Sequence, residues 1–333
     1  MRHFLFFAVV ISLIIINAIH LKNKSFEPLD SEKAVQTIDS ENVIHIFFVV
    51  NDNYVKYLSV AMASILKNTK SHIFFHIMDD NINEKTKNKL LKLQSYKNFA
   101  IEFLSVNNIN ALSLPASVMP HINKTTNYRL LISHLKPDIN KCILSDADLV
   151  YVSDIKELWD IDIENFYMAA IPDPDDMNRA YNRLKVFPLS KNEHYVNTGV
   201  TVLNLEKWRQ NNIEAQFISN AAIYSKQLSY PDQDLLNITL HDKIKYLSPR
   251  FNAMPEQTYY SLSEQIKAFE SPVIIHWAGP NKPWNDCDAH LAETFWEYVN
   301  LSPFALEIYM DYYLSKLGLS NRNMITKLCN LIP

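Results

Sequence analysis

The chain has only three glycines, Gly199, Gly279 and Gly318, among its 333 residues. Both common phosphate-gripping loops need several glycines close together, so any phosphate must be held by side chains or by a metal. Cysteine is equally scarce. Cys142, Cys287 and Cys329 are too few and too scattered for a disulfide framework or a zinc cluster. Nor is there an excess of positive charge, since the formal net charge is −4. Binding to nucleic acid relies on clustered Lys and Arg, so no nucleic-acid partner is expected. What remains is 48% hydrophobic and 20% charged residues, a composition that suits a globular fold with a substantial core.

One long hydrophobic run is present, from Phe4 to Ile19, broken only by Ser12 and Asn17. Its length is at the short end of a bilayer span. No small-x-small cleavage site follows, which favours an uncleaved anchor over a signal peptide. Residues 1–24 are therefore expected to be a single-pass membrane anchor and 25–41 a polar tether, followed by a main domain over 42–285 and a helical extension over 286–333. Arg2 on one side of the run is balanced by Lys22 and Lys24 on the other, so charge does not assign the side of the membrane. Four Asn-x-Ser/Thr sequons, at Asn23, Asn123, Asn237 and Asn300, are as many as chance gives in a chain this rich in those residues.

After the tether, strand and helix patterns alternate. Val43 to Val50 reads as a buried strand, and Val55, Leu58, Met62, Ile65 and Leu66 recur at helical spacing after it. His72 to Met78 and Ala100 to Val106 read as further strands, with a helix over Glu84 to Gln94 between them. Tyr128 to Leu135 reads as a helix and Lys141 to Ser145 as a strand. This alternation predicts a parallel sheet with covering helices. Farther on, Tyr167 to Ile171, Gly199 to Asn204 and Val273 to Ile275 read as strands, and Asp173 to His194 as a long polar connection. Pro231 opens a helix through Leu240, with Asp232 and Asp234 in its first turn.

Asp146-Ala147-Asp148 follows the strand that ends at Ser145. Residues i and i+2 of an extended segment share a side, so both carboxylates can face one hard cation, which prefers oxygen ligands. Five Asp-x-Asp triplets occur, so spacing alone selects none of them. Context selects the one at 146, because charge at the end of a buried strand costs stability unless paired or bound to metal. Open α/β sheets also bind their ligands at the carboxyl ends of strands.

The order of these segments resembles glycosyltransferase family 8, in particular its bacterial lipooligosaccharide galactosyltransferases. The likeness runs from about Ile44 to Trp284. It rests on Asn51-Asp52-Asn53-Tyr54, Thr126-Asn127-Tyr128-Arg129-Leu130, Leu144-Ser145-Asp146-Ala147-Asp148, and Tyr195-Val196-Asn197-Thr198-Gly199-Val200 with Leu203 to Trp208. Tyr230 to Asn237 and His276-Trp277-Ala278-Gly279-Pro280-Asn281-Lys282-Pro283-Trp284 complete it. The resemblance implies a GT-A fold with a mixed α/β sheet. It also implies retaining transfer of a hexose, galactose or glucose, from a UDP-sugar to a glycan or glycolipid, in lipopolysaccharide or cell-surface glycan synthesis.

Carried over residue by residue, the resemblance gives Asp146, Asp148 and His276 as ligands of Mn²⁺, with Mg²⁺ as an alternative. Lys282 and the Gly279 backbone would meet the diphosphate. Tyr54 would stack on uracil beside Asn51, Asn53 and Ala147. Arg129, Asp173, Asn197 and Asp232 would contact or orient the donor sugar, and Gln233 would lie beneath its reacting carbon. Asn51 departs from the family's usual Asp, although an amide can also bond uracil.

Each residue also has a plainer reading. His276 alone is more often a satisfied structural histidine, and Asp232 and Asp234 are also common helix-start charges. Asn197 could cap a turn, Tyr54 could be core, and Arg129 could pair with a surface acid. Two rival functions stay open: a metal-dependent phosphohydrolase using Asp146 and Asp148, and a non-catalytic sugar-binding relative.

Overall fold

The apolar runs Val43–Asn51 and Lys141–Ser145 become strands with most of their residues buried, as strands covered on both faces do. The computed structural model describes residues 43–97, 99–105, 128–174, 193–259, 261–285 and 288–316. In chain order the strands are β1 Val43–Asn51, β2 His72–Asp80, β3 Ala100–Ser105, β4 Lys141–Ser145, β5 Leu149–Tyr151, β6 Met168–Ala170, β7 Val200–Asn204, β8 Ile244–Tyr246 and β9 Ile274–His276. Seven form one sheet in the order β3-β2-β1-β4-β7-β6-β8, and β5 pairs with β9 in a separate ribbon. From β3 to β4 all neighbours are parallel, as the alternation predicts. Beyond β4 the sheet is mixed: β7 runs antiparallel to both β4 and β6, and β8 runs parallel to β6.

Side-chain alternation along β1 divides the core in two. Ile44, Ile46, Phe48 and Val50 face one side, where the helices Val55–Asn68 and Ala292–Val299 pack. Phe47 faces the other side, with Met78, Leu144 and Leu203, under the helices Leu205–Gln210 and Pro231–Leu240. A strand covered on both faces carries a continuous hydrophobic run. The helix Val55–Asn68 is buried along most of its length, including Ser59, Ala61, Ala63 and Ser64. These small residues let the β5–β9 ribbon approach, and Ser64 Oγ accepts the Tyr151 N–H at 2.9 Å.

Among the described residues no helix is long and apolar enough to cross a membrane. The expected anchor over 1–24 and tether over 25–41 lie outside the described residues, as do Cys287, Cys329, residues 175–192 of the long connection and residues 317–333. Within the 286–333 extension, Phe295, Tyr298, Phe304 and Ile308 belong to the same core cluster as β1. The sequon at Asn237 cannot accept a glycan in the folded chain. Its side chain is fully buried and its Nδ2 donates to the carbonyls of Val196 and Gln233.

One polar chain crosses the sheet face. His45 Nδ1 lies 2.9 Å from His76 Nε2, and His76 Nδ1 bonds the Glu102 carboxylate, which also meets Lys136 Nζ at 3.0 Å. Because Glu102 accepts, His76 donates from Nδ1 and accepts from His45 at Nε2. Burial pushes the His76 pKa down to about 4, despite the opposing carboxylate. The unfolded ring protonates near its ordinary value of 6.5, so stability is complete above that pH and is lost as pH falls towards about 4. The loss attributable to His76 at pH 5 is roughly 2 kcal/mol. Urea unfolding at pH 7 and pH 5 should show it, and His76→Phe, whose ring fits between Phe47 and Phe74, should flatten the difference. An equal pH slope in both proteins counts against this assignment.

Candidate functional site

Asp146 and Asp148 occupy the short link between β4 and β5. Ala147 buries its methyl in the core, which by alternation turns both neighbouring carboxylates to the opposite side. Backbone pairing fixes the link at both ends. Asp146 N–H donates to Gly199 O at 2.7 Å, and Trp277 N–H donates to Asp148 O at 3.1 Å. His276 ends β9 directly opposite Leu149. Its ring is therefore delivered to the carboxylates by strand register. Nε2 lies 3.2 Å from Asp148 Oδ1 and 3.8 Å from Asp146 Oδ2. One donor atom from each of the three side chains lies within 4.8 Å of the other two.

Two cations flank the trio. Arg129, on a 3₁₀ turn over Tyr128–Leu131, bonds Asp146 through Nη2 and lies 3.4 Å from Asp232 through Nη1. It is almost fully buried. It is thus no surface ion pair. Lys282 Nζ bonds the Asp148 carboxylate and the Trp277 carbonyl. Burial and the Asp148 charge push the Asp146 carboxyl up, against the pull of Arg129 and His276. For Asp148 burial also pushes up, but His276 and Lys282 outweigh it and hold the group well below the usual carboxylate range. One carboxylate therefore resists charge while its neighbour keeps it. That asymmetry is common at functional sites.

A second cluster adjoins the first. Asp173, Asn197 and Gln233 come together although they are far apart in sequence. Asp173 Oδ2 accepts from Asn197 Nδ2 and Gln233 Nε2, each at 3.2 Å. Gln233 Oε1 accepts from the Thr198 backbone N–H at 3.1 Å. Asp232 faces Arg129, whereas Asp234 points away from it into the chain that precedes its helix. Its carboxylate accepts from Tyr195 Oη at 2.6 Å and from the N–H groups of Ser229 and Tyr230.

Tyr54 is half-exposed and stands edge-on to Tyr57, which stacks on Trp284 of the His276 loop at 3.8 Å. Burial and the charges of Asp148 and Asp146 raise its pKa. Asn51 Oδ1 accepts the Tyr54 N–H at 3.3 Å. Asn53 is exposed on the same turn. Because the Ala147 side chain is buried, only its backbone can touch a ligand. A Cβ at Gly279 would meet only Gln257 Nε2, at 3.7 Å, so the fold does not itself require glycine there.

Gly199 and Asn252 belong to the site but were not singled out from the sequence. A Cβ at Gly199 would lie 2.4 Å from His276 Cε1 and 2.9 Å from Asp146 Oδ2. Scarcity was a usable signal, since this is one of three glycines in the chain. Asn252 bonds the His276 ring. No local pattern marks it.

The residues fit a divalent metal: two carboxylate oxygens and an imidazole nitrogen converge, and Gly199 leaves the space in which the ring sits. With the mixed sheet, a trio of this kind lies where open α/β folds bind their ligands, beyond the carboxyl end of a strand. The chain belongs to glycosyl transferase family 8, whose sequence model matches residues 45–288. A Haemophilus influenzae protein named as a candidate glycosyltransferase is 34% identical over 251 residues, which cover 74% of this chain and 75% of that one. A lipopolysaccharide 1,2-glucosyltransferase of Escherichia coli is 26% identical, covering 83% of this chain and 84% of its own. The crystal structure of the galactosyltransferase LgtC with donor and acceptor sugar analogues superposes with a TM-score of 0.64 at 28% identity, covering 77% of this chain and 95% of that one. This membership displaces the phosphohydrolase alternative.

Proposed function

We propose that the protein is a metal-dependent, retaining hexosyltransferase. It moves galactose or glucose from a UDP-sugar to a glycan or glycolipid in lipopolysaccharide or cell-surface glycan synthesis. The observation that carries this reading is the meeting of Asp146, Asp148 and His276 at one point. Relatives named for lipopolysaccharide glucosyl transfer and for galactosyl transfer support the substrate class.

Asp146, Asp148 and His276 would hold Mn²⁺, or Mg²⁺ in its place, a donor set that suits either the harder or the borderline ion. When bound, the metal supplies positive charge that stabilises a departing diphosphate. Lys282 adds an ammonium at the same place, and the Gly279 backbone runs beside it. Tyr54 stacks on uracil, with Asn51, Asn53 and the Ala147 backbone around the base. Arg129 holds Asp146 and Asp232 in fixed positions, while Asp173 and Asn197 orient the hexose.

Gln233 is a poor nucleophile as an amide, and its two ends are held by Thr198 and Asp173. It serves better as a fixed dipole under a positively charged sugar carbon. The acceptor oxygen bonds that carbon on the face from which UDP leaves. The carbon–phosphate-oxygen bond breaks with its electron pair going to UDP, and a diphosphate oxygen takes the acceptor proton. Residues 1–24 would tether the enzyme to a membrane that carries the acceptor.

Purified protein lacking residues 1–24 should release UDP from UDP-galactose or UDP-glucose only when Mn²⁺ or Mg²⁺ is present, and Gln233→Ala should keep measurable transfer. Absence of turnover with every UDP-hexose and metal would sink the enzyme reading. Complete loss of transfer in Gln233→Ala, with donor affinity unchanged, would instead argue for attack by the amide.

A further inference from the structure

We propose that Asn252 is a positioning residue that fixes the tautomer and rotation of His276 and ties it to the donor-sugar cluster. This rests on the reading of His276 as a metal ligand. Asn252 ends the 3₁₀ turn Pro249–Asn252 and is fully buried. Its Oδ1 lies 2.8 Å from His276 Nδ1, and its Nδ2 donates to Asn197 Oδ1 at 2.9 Å.

The direction of every bond follows from the two ends of the chain. Asp173 is a carboxylate and accepts, so Asn197 must present Nδ2 to it. The Asn197 oxygen is thereby left for the Gly199 N–H, which it accepts at 3.0 Å, and for the Asn252 amide. Asn252 must then turn its own oxygen towards His276. An amide oxygen only accepts, so the imidazole carries its proton on Nδ1. When the ring is neutral, its lone pair is therefore on Nε2, the nitrogen that faces Asp146 and Asp148.

A backbone amide and a carboxylate, neither of which can reverse its role, thus decide which nitrogen of His276 is available to a metal. Outer partners of this kind commonly change metal affinity by about 10–100-fold when removed. The same chain passes through Asn197 and Asp173 to Gln233. Asn252 therefore holds the metal side and the sugar side of the site in one register.

Two measurements separate this from a merely structural role. Nitrogen NMR of ¹⁵N-labelled histidine should show the neutral His276 ring protonated at Nδ1 in the natural protein and as a mixture of tautomers in Asn252→Leu. Calorimetry with Mn²⁺ alone should show affinity reduced about 10–100-fold in Asn252→Leu. Asn252→Asp keeps an acceptor for Nδ1 but loses the donor to Asn197 Oδ1, so it should retain clearly more Mn²⁺ affinity than Asn252→Leu. Asn237→Leu removes a buried asparagine that pins Val196 but does not touch His276, so it should lose stability and keep Mn²⁺ affinity.

An unchanged tautomer and full Mn²⁺ affinity in Asn252→Leu would overturn the proposal while leaving the metal reading intact. Equal loss in Asn252→Asp and Asn252→Leu would also overturn it. No Mn²⁺ binding to the natural protein, with the Nδ1 tautomer present, would instead remove the metal reading and leave the tautomer assignment standing.

Discussion

Asp148→Asn is expected to lower UDP-hexose turnover by at least about a hundredfold, the scale on which preorganised charge stabilisation is lost. The substitution keeps the shape of the side chain and removes its charge. Two things then fail together. A neutral amide is a weaker ligand for a hard cation, and it cannot give Lys282 the charged acceptor that the carboxylate now provides. Asp148 is the member of the pair held below the usual carboxylate range, so it stays charged at neutral pH. Its loss also leaves a largely buried ammonium with the Trp277 carbonyl but without its charge partner. Some stability should therefore fall with the activity, and circular dichroism must show that the fold persists. Asp160→Asn is the matched control: Asp160 pairs with Lys156 on the surface with both side chains more than half exposed, and turnover should not change. A turnover loss smaller than about fivefold in Asp148→Asn would contradict the role given to the paired carboxylates.

Gly199→Ala should be nearly as damaging, although it adds a single methyl. The new Cβ would lie 2.4 Å from His276 Cε1 and 3.0 Å from His276 Nδ1, well inside van der Waals contact. The ring cannot swing aside, because Asn252 holds Nδ1 and its backbone N–H donates to Ala253 O at 2.8 Å. Nor is Asp146 free, since Arg129 binds its carboxylate. Something must move by about an ångström. Misplacements of that size cost about a hundredfold in rate, and overpacking costs about 1–3 kcal/mol. Gly279→Ala separates space from backbone freedom, because its Cβ would meet only Gln257 at 3.7 Å. That variant should keep Mn²⁺ affinity, read by calorimetry. If Gly199→Ala keeps natural Mn²⁺ affinity and turnover, the ring is not confined as described.

Strands and helices that carry many apolar residues were legible in the sequence. β1, β2, β4 and the helix Pro231–Leu240 lie within a residue or two of where their patterns place them. The parallel half of the sheet follows from their alternation, whereas a mixed sheet is expected only from the family resemblance, which does not say that β7 is the strand that reverses. β8 and the helix Leu262–Phe269 are not among the elements that the sequence pattern predicts. A strand of three residues has no period to detect. Its pairing depends on partners far away, as with β5 and β9, whose register sets His276 opposite Leu149.

The same divide runs through the site. Asp146 and Asp148 were visible because alternation makes a local pair, and Asp234 could be seen to have a structural alternative, which is the role it takes. Asn252 was invisible because its meaning is its contact with His276 and Asn197, and neither is near it in sequence. Arg129 looked able to pair with any surface acid. Only the fold shows that it is buried between Asp146 and Asp232.

The central claim is that Asp146, Asp148 and His276 form a metal centre that receives the diphosphate of a UDP-sugar. Titration calorimetry of UDP into the protein, with and without Mn²⁺ and repeated on Asp148→Asn, tests it most directly. The expected result is UDP affinity raised at least about tenfold by Mn²⁺ in the natural protein, with that gain absent in Asp148→Asn. UDP affinity indifferent to Mn²⁺, or a gain that survives Asp148→Asn, would contradict the claim.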